Sequence, residues 1–303
     1  MNKIPIIYIL SNGRSGSTLL DLVLGSSPNA WTLGEAQILP WDCVENRNPC
    51  GCGLAVQECE FWQTVSPNIP LFQGAYPIEY FRIPKRTGKV IRWKLLGDLL
   101  TGRVSQHSYK AVEEYGELNA QYFKAVLEEA QKRKGSSVKW LVDASKDPYR
   151  LFWLQQSGYF DIRVIHLTKH PQAFVYSMVK RELPEATLKV VRMAGRWLVQ
   201  NTIFTRLCRA NFRKDHYIHM RYEDLASQPE AVTQLIHNWL NIEFPSALSK
   251  SFRDQENHAV SGNHMRWQKT RIELDEKWKI SLPNKHQQLT GVITSSLSRI
   301  YGY

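Results

Sequence analysis

This chain of 303 residues predicts an α/β fold, with a parallel central sheet and helices on both faces. Three observations carry that expectation. Short runs rich in Val, Ile and Leu alternate with stretches of helical spacing, the pattern of strands joined by helical crossovers. The first run, Ile4-Pro-Ile-Ile-Tyr-Ile-Leu10, passes through a Gly/Ser turn directly into Thr18-Leu-Leu-Asp-Leu-Val-Leu-Gly25. Polar residues of chemical interest follow the apolar runs: Gly13 to Thr18, Glu35, Ser145 and Lys146, Lys169, and Tyr222. A parallel sheet receives its ligands at those carboxyl ends.

The elements follow in order. A strand is expected at about 4–10 and a helix at about 16–25. Trp31-Thr-Leu-Gly34 reads as a short second strand ending at Glu35. Residues 40–105, rich in Pro, Gly and basic residues including Lys85, Arg86, Lys89, Arg92 and Lys94, read as irregular. A helix is expected from Ser108 to Lys134, stopped by Gly135. Val138–Asp143 reads as a strand, and Pro148 starts a helix, where its missing N–H does no harm. Another strand follows at Ile162–Leu167, with a helix from near Pro171. A long helix over about 186–213 carries Val190, Ala194, Trp197, Phe204 and Cys208 on one stripe. His216–Met220 is the last strand, a helix covers 229–240, and the C-terminal part is loop and helix. We expect a single domain over 1–303, with an irregular insertion at about 40–107 forming part of an acceptor site.

Composition narrows the function. The net charge of +11 favours anionic ligands: a doubly phosphorylated nucleotide, an acidic polysaccharide or nucleic acid. Motifs for nucleic-acid binding are missing, so no nucleic-acid partner is expected. No run approaches the length of a membrane span, and the N-terminal apolar run is short for a secretory signal, so a cytoplasmic location is expected. Four of the five cysteines, Cys43, Cys50, Cys52 and Cys59, crowd into one stretch. They could hold a metal or form a disulfide, but they lack a C-x-x-C pair and a neighbouring His in the sequence. No metal is assigned.

The turn Asn12-Gly-Arg-Ser-Gly-Ser-Thr18 is an anion cradle by its chemistry. Backbone N–H groups and the positive end of a helix dipole converge there. Gly13 and Gly16 are expected to permit the tight turn, Arg14 adds a fixed charge, and Ser15, Ser17 and Thr18 add hydroxyls. A Walker A loop needs a Lys after its last Gly, and here that position is Ser17. The G-x-G-x-x-G dinucleotide spacing is not met either.

Gly13-Arg-Ser-Gly-Ser-Thr-Leu-Leu20, placed after a first strand, resembles the 5′-phosphosulfate loop of sulfotransferases. Those enzymes use 3′-phosphoadenosine 5′-phosphosulfate (PAPS). The resemblance implies a P-loop NTPase-like three-layer fold, PAPS as co-substrate and no required metal. It gives Arg14 the position that stabilises the departing bridging oxygen. His166-Leu-Thr-Lys-His-Pro…Ser177…Arg181 resembles the family's 3′-phosphate motif, which implies Lys169 and Ser177 as ligands, with Arg181 one turn beyond on the same helix face. The Gly34-Glu35 context resembles tyrosylprotein sulfotransferases, in which this Glu deprotonates the acceptor. Lys146, in Asp143-Ala-Ser-Lys-Asp-Pro148, matches a lysine that neutralises the transferring sulfonate. Tyr222-Glu-Asp-Leu225 resembles a motif whose Tyr lies near the nucleotide. Ser261-Gly-Asn-His-Met-Arg266 resembles a loop closing over it, with Gly262, Asn263 and Arg266 on the 3′-phosphate side. Asp275-Glu-Lys-Trp278 fits a downstream pattern. His258 could act as a base, but a histidine alone in its loop is expected to be solvated.

The implied activity is sulfo transfer to an acceptor hydroxyl, on a carbohydrate or small molecule, with peptidyl tyrosine left open. A P-loop kinase or NTPase, and a non-catalytic binder of acidic polymers, stand as alternatives.

Overall fold

The computed structural model describes residues 3–39, 49–68, 93–135, 137–242, 255–267 and 272–303. Cys43, Lys85, Arg86, Lys89, Arg92 and about half of the stretch expected to form part of the acceptor site lie outside the described residues.

Five parallel strands form one sheet: β1 (Ile4–Ser11), β2 (Ala30–Thr32), β3 (Trp140–Asp143), β4 (Phe160–Thr168) and β5 (Tyr217–Arg221). Their spatial order is β2-β3-β1-β4-β5. Central β1 pairs with β3 through Ile6–Leu141, Ile7–Val142 and Tyr8–Asp143, and with β4 along its whole length. The apolar run that begins the chain is buried on both faces because it is the middle strand of a parallel sheet.

Strand alternation splits the core in two. Ile6, Tyr8 and Leu10 face one layer, with Tyr122, Phe123, Phe152 and Phe204. Those residues come from α4 (Gln106–Lys134), α5 (Pro148–Ser157) and α7 (Thr187–Asn211). Ile7 and Ile9 face the opposite layer, with Leu19, Leu20 and Val23 of α1 (Ser17–Gly25) and Ile236 and Leu240 of α9 (Pro229–Leu240). A third cluster packs α6 (Pro171–Val179) and α7 against α11 (Asn284–Tyr301) around Phe174, Trp197 and Tyr301. The expected layers, helices on both faces of a parallel sheet, are present.

The stretch expected to be irregular holds helices where it is described: α2 (Glu60–Val65), α3 (Trp93–Thr101) and the first residues of α4. Their apolar residues are spaced for one buried face each, and Phe61, Trp62 and Leu99 are buried in the first core. Two short helices, α8 (Tyr222–Ser227) and α10 (Trp278–Ser281), complete the elements used below. No helix among the described residues is long and apolar enough to cross a membrane.

Topology places the site. The chain leaves β1 toward β2 on one side, and leaves β4 toward β5 on the other. The loops after β1 and β4 therefore part, and a crevice opens between them at the carboxyl edge.

Candidate active site

A cleft of about 620 Å³ occupies this crevice. Gly13, Arg14, Gly16, Ser17, Thr18, Glu35, Lys146, Lys169, Ser177, Tyr222, Gly262 and Asn263 all line it. These residues come from seven separate stretches of chain, and the parallel sheet brings them to one edge.

The loop after β1 turns differently from the expectation. Left-handed backbone falls at Arg14 (φ 71°) and Gly16 (φ 85°), not at Gly13. Gly16 also caps α1, with its carbonyl accepting from Leu20 N at 3.1 Å. A Cβ on Gly16 would lie 2.3 Å from the ring of Tyr222, whereas one on Gly13 would meet nothing within 4 Å. Gly16 is therefore required by conformation and by close approach, and Gly13 simply leaves the cradle open.

Two predicted loop residues turn inward. Asn12 Nδ2 donates to Gln200 at 2.6 Å, and its Oδ1 accepts from Asn201 at 2.7 Å, which fixes the loop to α7. Ser15 is fully buried. Neither side chain lines the cleft, because the turn that exposes Arg14 and Gly16 rotates its neighbours into the core.

Glu35 and Lys146 meet in the cleft. Lys146 Nζ donates to Glu35 Oε1 at 2.7 Å, and both side chains are 17% exposed. Each is held by its backbone. Glu35 N donates to Val260 O at 2.9 Å, and Ala144 N donates to Gly34 O at 2.7 Å. Lys146 sits at φ 65°, a costly conformation for a side chain with a Cβ, which persists only where the surroundings impose it. Here Asp143 Oδ1 accepts from Ser145 N at 2.9 Å, and Asp147 caps α5 by accepting from Tyr149 N at 2.8 Å. Asp143 is in turn paired with Arg150 at 2.9 Å, both side chains being almost wholly buried. Arg150 also donates to Tyr115 at 2.7 Å and Asn119 at 2.8 Å. This network was not legible in the sequence, since nothing local marks Arg150 as inward-facing.

Lys169 directly follows β4 and is buried, its Nζ 4.6 Å from the centre of the Tyr222 ring. Burial holds its pKa below the ordinary lysine value, opposed by the charges of Asp275 and Glu223. Ser177 lies on α6 and lines the cleft, while Arg181 does not. The expectation that Arg181 follows Ser177 on one helix face fails because α6 stops at Val179; Arg181 lies in the following turn and is exposed. Lys180 and Arg196 line the cleft instead, with Tyr176 and Trp278. Arg196 is half-buried on α7 and donates to Gln200 at 3.3 Å, the residue that also holds Asn12. Helical spacing from Gln200 could have suggested that link, but not which cavity Arg196 faces.

The loop 255–263 closes one side. Asn263 N donates to Thr18 Oγ1 at 3.2 Å. Arg266 is buried, and its guanidinium donates to the carbonyls of Ala259 at 3.2 Å, Pro49 at 2.6 Å and Ser261. It braces the loop from behind and does not line the main cleft. His258, expected to be solvated, is buried against Phe61 and lies beside Cys50 and Cys59. The histidine that the cysteine stretch lacks in sequence is thus supplied by a loop about two hundred residues away.

A parallel α/β sheet with a basic cleft at its switch point, opened by a Gly/Ser turn into a helix N-terminus, is chemically suited to an anionic ligand at the sheet edge. The sulfotransferase family model matches residues 5–246, and the chain belongs to that family. No curated protein sequence matches it. Among solved structures, the sulfotransferase domain from the Synechococcus PCC 7002 olefin synthase is 22% identical, with a TM-score of 0.55, covering 98% of this chain and 95% of that one. The sulfotransferase domain from the curacin biosynthetic pathway is 21% identical, with a TM-score of 0.55, covering 98% and 99%. Sulfotransferase STF9 from Mycobacterium avium is 14% identical, with a TM-score of 0.50, covering 98% and 76%. At these identities the likeness establishes the fold, which is P-loop NTPase-like, and the family sets the chemistry as sulfo-group transfer.

Proposed function

We propose that the chain transfers the sulfo group of PAPS to an acceptor hydroxyl on a carbohydrate or small molecule. The observation that carries this reading is the meeting of Arg14, Glu35 and Lys146 in one cleft with the anion loop.

The 5′-phosphosulfate sits over the turn 13–18, where backbone N–H groups and the hydroxyls of Ser17 and Thr18 face it. Lys169, Ser177, Lys180 and Arg196 receive the 3′-phosphate, with Gly262 and Asn263 closing above. Arg266 supports that closure by positioning the loop, and Arg181 is left outside. Glu35 takes the proton of the acceptor hydroxyl as its oxygen attacks sulfur in line. A new S–O bond forms, the bond between sulfur and the bridging oxygen breaks, and the electron pair departs on the 5′-phosphate of adenosine 3′,5′-bisphosphate. Arg14 and Lys146 meet that growing negative charge, the electrostatic term that dominates loose group transfer. Lys146 bonds to Glu35 in the free protein, so substrate binding exchanges this contact for one to the leaving group. No step in this sequence uses a metal.

Calorimetry with adenosine 3′,5′-bisphosphate tests the donor, and an acceptor screen with radiolabelled PAPS tests transfer. A folded sample that ignores the bisphosphate at millimolar concentration would end the proposal. Magnesium-dependent ATP turnover would favour the kinase alternative.

A further inference from the structure

We propose that Cys50, Cys52, Cys59 and His258 form a structural zinc site that fastens the loop 255–263 to the segment 49–62. The site lies outside the proposed catalytic set and does not depend on which sulfo donor is used.

The four ligand atoms lie within 4.8 Å of one another. Tetrahedral zinc, with bonds of roughly 2.3 Å to sulfur and 2.0–2.1 Å to nitrogen, needs N···S and S···S edges of about 3.6 and 3.8 Å. His258 Nδ1 is 3.6 Å from Cys50 Sγ and 3.1 Å from Cys59 Sγ. Small rotations of the thiol side chains complete a tetrahedron.

The surroundings point the same way. His258 Nε2 donates to Glu256 Oε1 at 2.7 Å, which turns the lone pair of Nδ1 toward the sulfurs. A carboxylate behind the second ring nitrogen is the usual partner of a metal-bound imidazole. Glu256 is itself held by Arg133 at 2.9 Å. The ring stacks on Phe61 at 4.9 Å and 7°, and Trp31 lies nearly parallel at 6.1 Å and 17° and stacks on Phe61 in turn at 5.2 Å. Backbone N–H groups of Cys52, Leu54 and Trp62 are directed at the sulfurs of Cys50, Cys52 and Cys59. Such donors suit sulfur ligands that carry negative charge. A Cys50–Cys59 disulfide would use two of these groups and leave Cys52 and the oriented imidazole without a task.

Four protein ligands leave no open coordination position, which marks a structural ion. Cys50 and Cys59 are fully buried, and Cys52 is exposed, so the ion enters from the Cys52 side. The site also has a position that matters for the cleft. Val260, two residues after His258, bridges both Cys50 and Gly34, and its carbonyl accepts from Glu35 N at 2.9 Å. Zinc would therefore pin the loop that carries Gly262 and Asn263 and the backbone that carries Glu35.

The test is zinc content of the full chain purified under reducing, chelator-free conditions. About one zinc per chain is expected, and cobalt substitution should give the intense visible bands of a tetrahedral thiolate site. Cys52→Ser, at an exposed position, should lose the cobalt thiolate bands in part and weaken zinc binding. Glu256→Gln should weaken zinc binding about 10–100-fold while keeping the same spectrum. Chelation should lower the melting temperature of the wild type and not that of Cys59→Ser. A folded, reduced wild type that binds no zinc from micromolar solution overturns the proposal. So does an octahedral cobalt spectrum, or a native Cys50–Cys59 disulfide found by mass spectrometry.

Discussion

Replacing Gly16 with alanine should damage the anion loop in a way that can be apportioned. Gly16 holds φ 85°, and an added Cβ would sit 2.3 Å from Tyr222 Cδ2. The left-handed backbone alone costs roughly 1–2 kcal/mol for a residue with a Cβ. The Tyr222 ring must also move, and it leaves the Lys169 ammonium now 4.6 Å from its centre, a contact worth about 0.5–2 kcal/mol. Together the loss is about 1.5–4 kcal/mol of folding stability, read by urea denaturation. Binding of adenosine 3′,5′-bisphosphate, followed by calorimetry, should weaken at least about tenfold, because the N–H groups of the loop must reorient. Gly13→Ala is the control, since its Cβ meets nothing within 4 Å and its φ is not left-handed. In a Tyr222→Ala background the steric part disappears, and Gly16→Ala should cost only the backbone share of about 1–2 kcal/mol. Equal stability and equal affinity for Gly16→Ala and Gly13→Ala would refute the reasoning.

Four further outcomes follow from the same geometry. Glu35→Gln should lower turnover about 10²–10⁴-fold with bisphosphate affinity nearly unchanged, and steady-state kinetics beside calorimetry separates the two. Arg150→Met should cost about 3–5 kcal/mol in urea denaturation by stranding buried Asp143, and adding Asp143→Leu should recover much of it. Burial, with the charge of His219, pushes His166 down to about 3, and burial pushes His170 and His219 to about 4. The native state resists protonation there while the unfolded chain accepts protons below about 6.5. Stability should thus be full above that pH and fall as pH drops from about 6.5 toward 3, and His166→Gln should flatten the melting-temperature profile. Burial also holds Lys169 below its ordinary value, so bisphosphate binding in alkaline buffer should take up a proton. A calorimetric enthalpy independent of buffer ionisation heat, or unaltered in its buffer dependence by Lys169→Met, would contradict that.

Most of the architecture is legible in the sequence, because its causes are local. A β-branched apolar run, a Gly/Ser turn and a helical stretch determine β1, the cradle and α1. Five such runs separated by helices leave a parallel sheet as the economical arrangement, and a parallel sheet gathers loop residues at one edge. Glu35, Lys146 and Lys169 could therefore be expected to approach Arg14 from sequence order alone.

Tertiary packing decided what local pattern does not encode. Where α6 stops determines that Lys180 lines the cleft and Arg181 does not. Which helix face of α7 meets the crevice determines the place of Arg196. The left-handed backbone at Arg14 and Lys146 is imposed by neighbours against the preference of those residues. His258 reaches Cys50 and Cys59 because Val260 bridges to Gly34 and Cys50 across a sequence gap that no spacing rule spans. Periodicity and turn chemistry act over a few residues, whereas these features depend on how separately formed layers share one core.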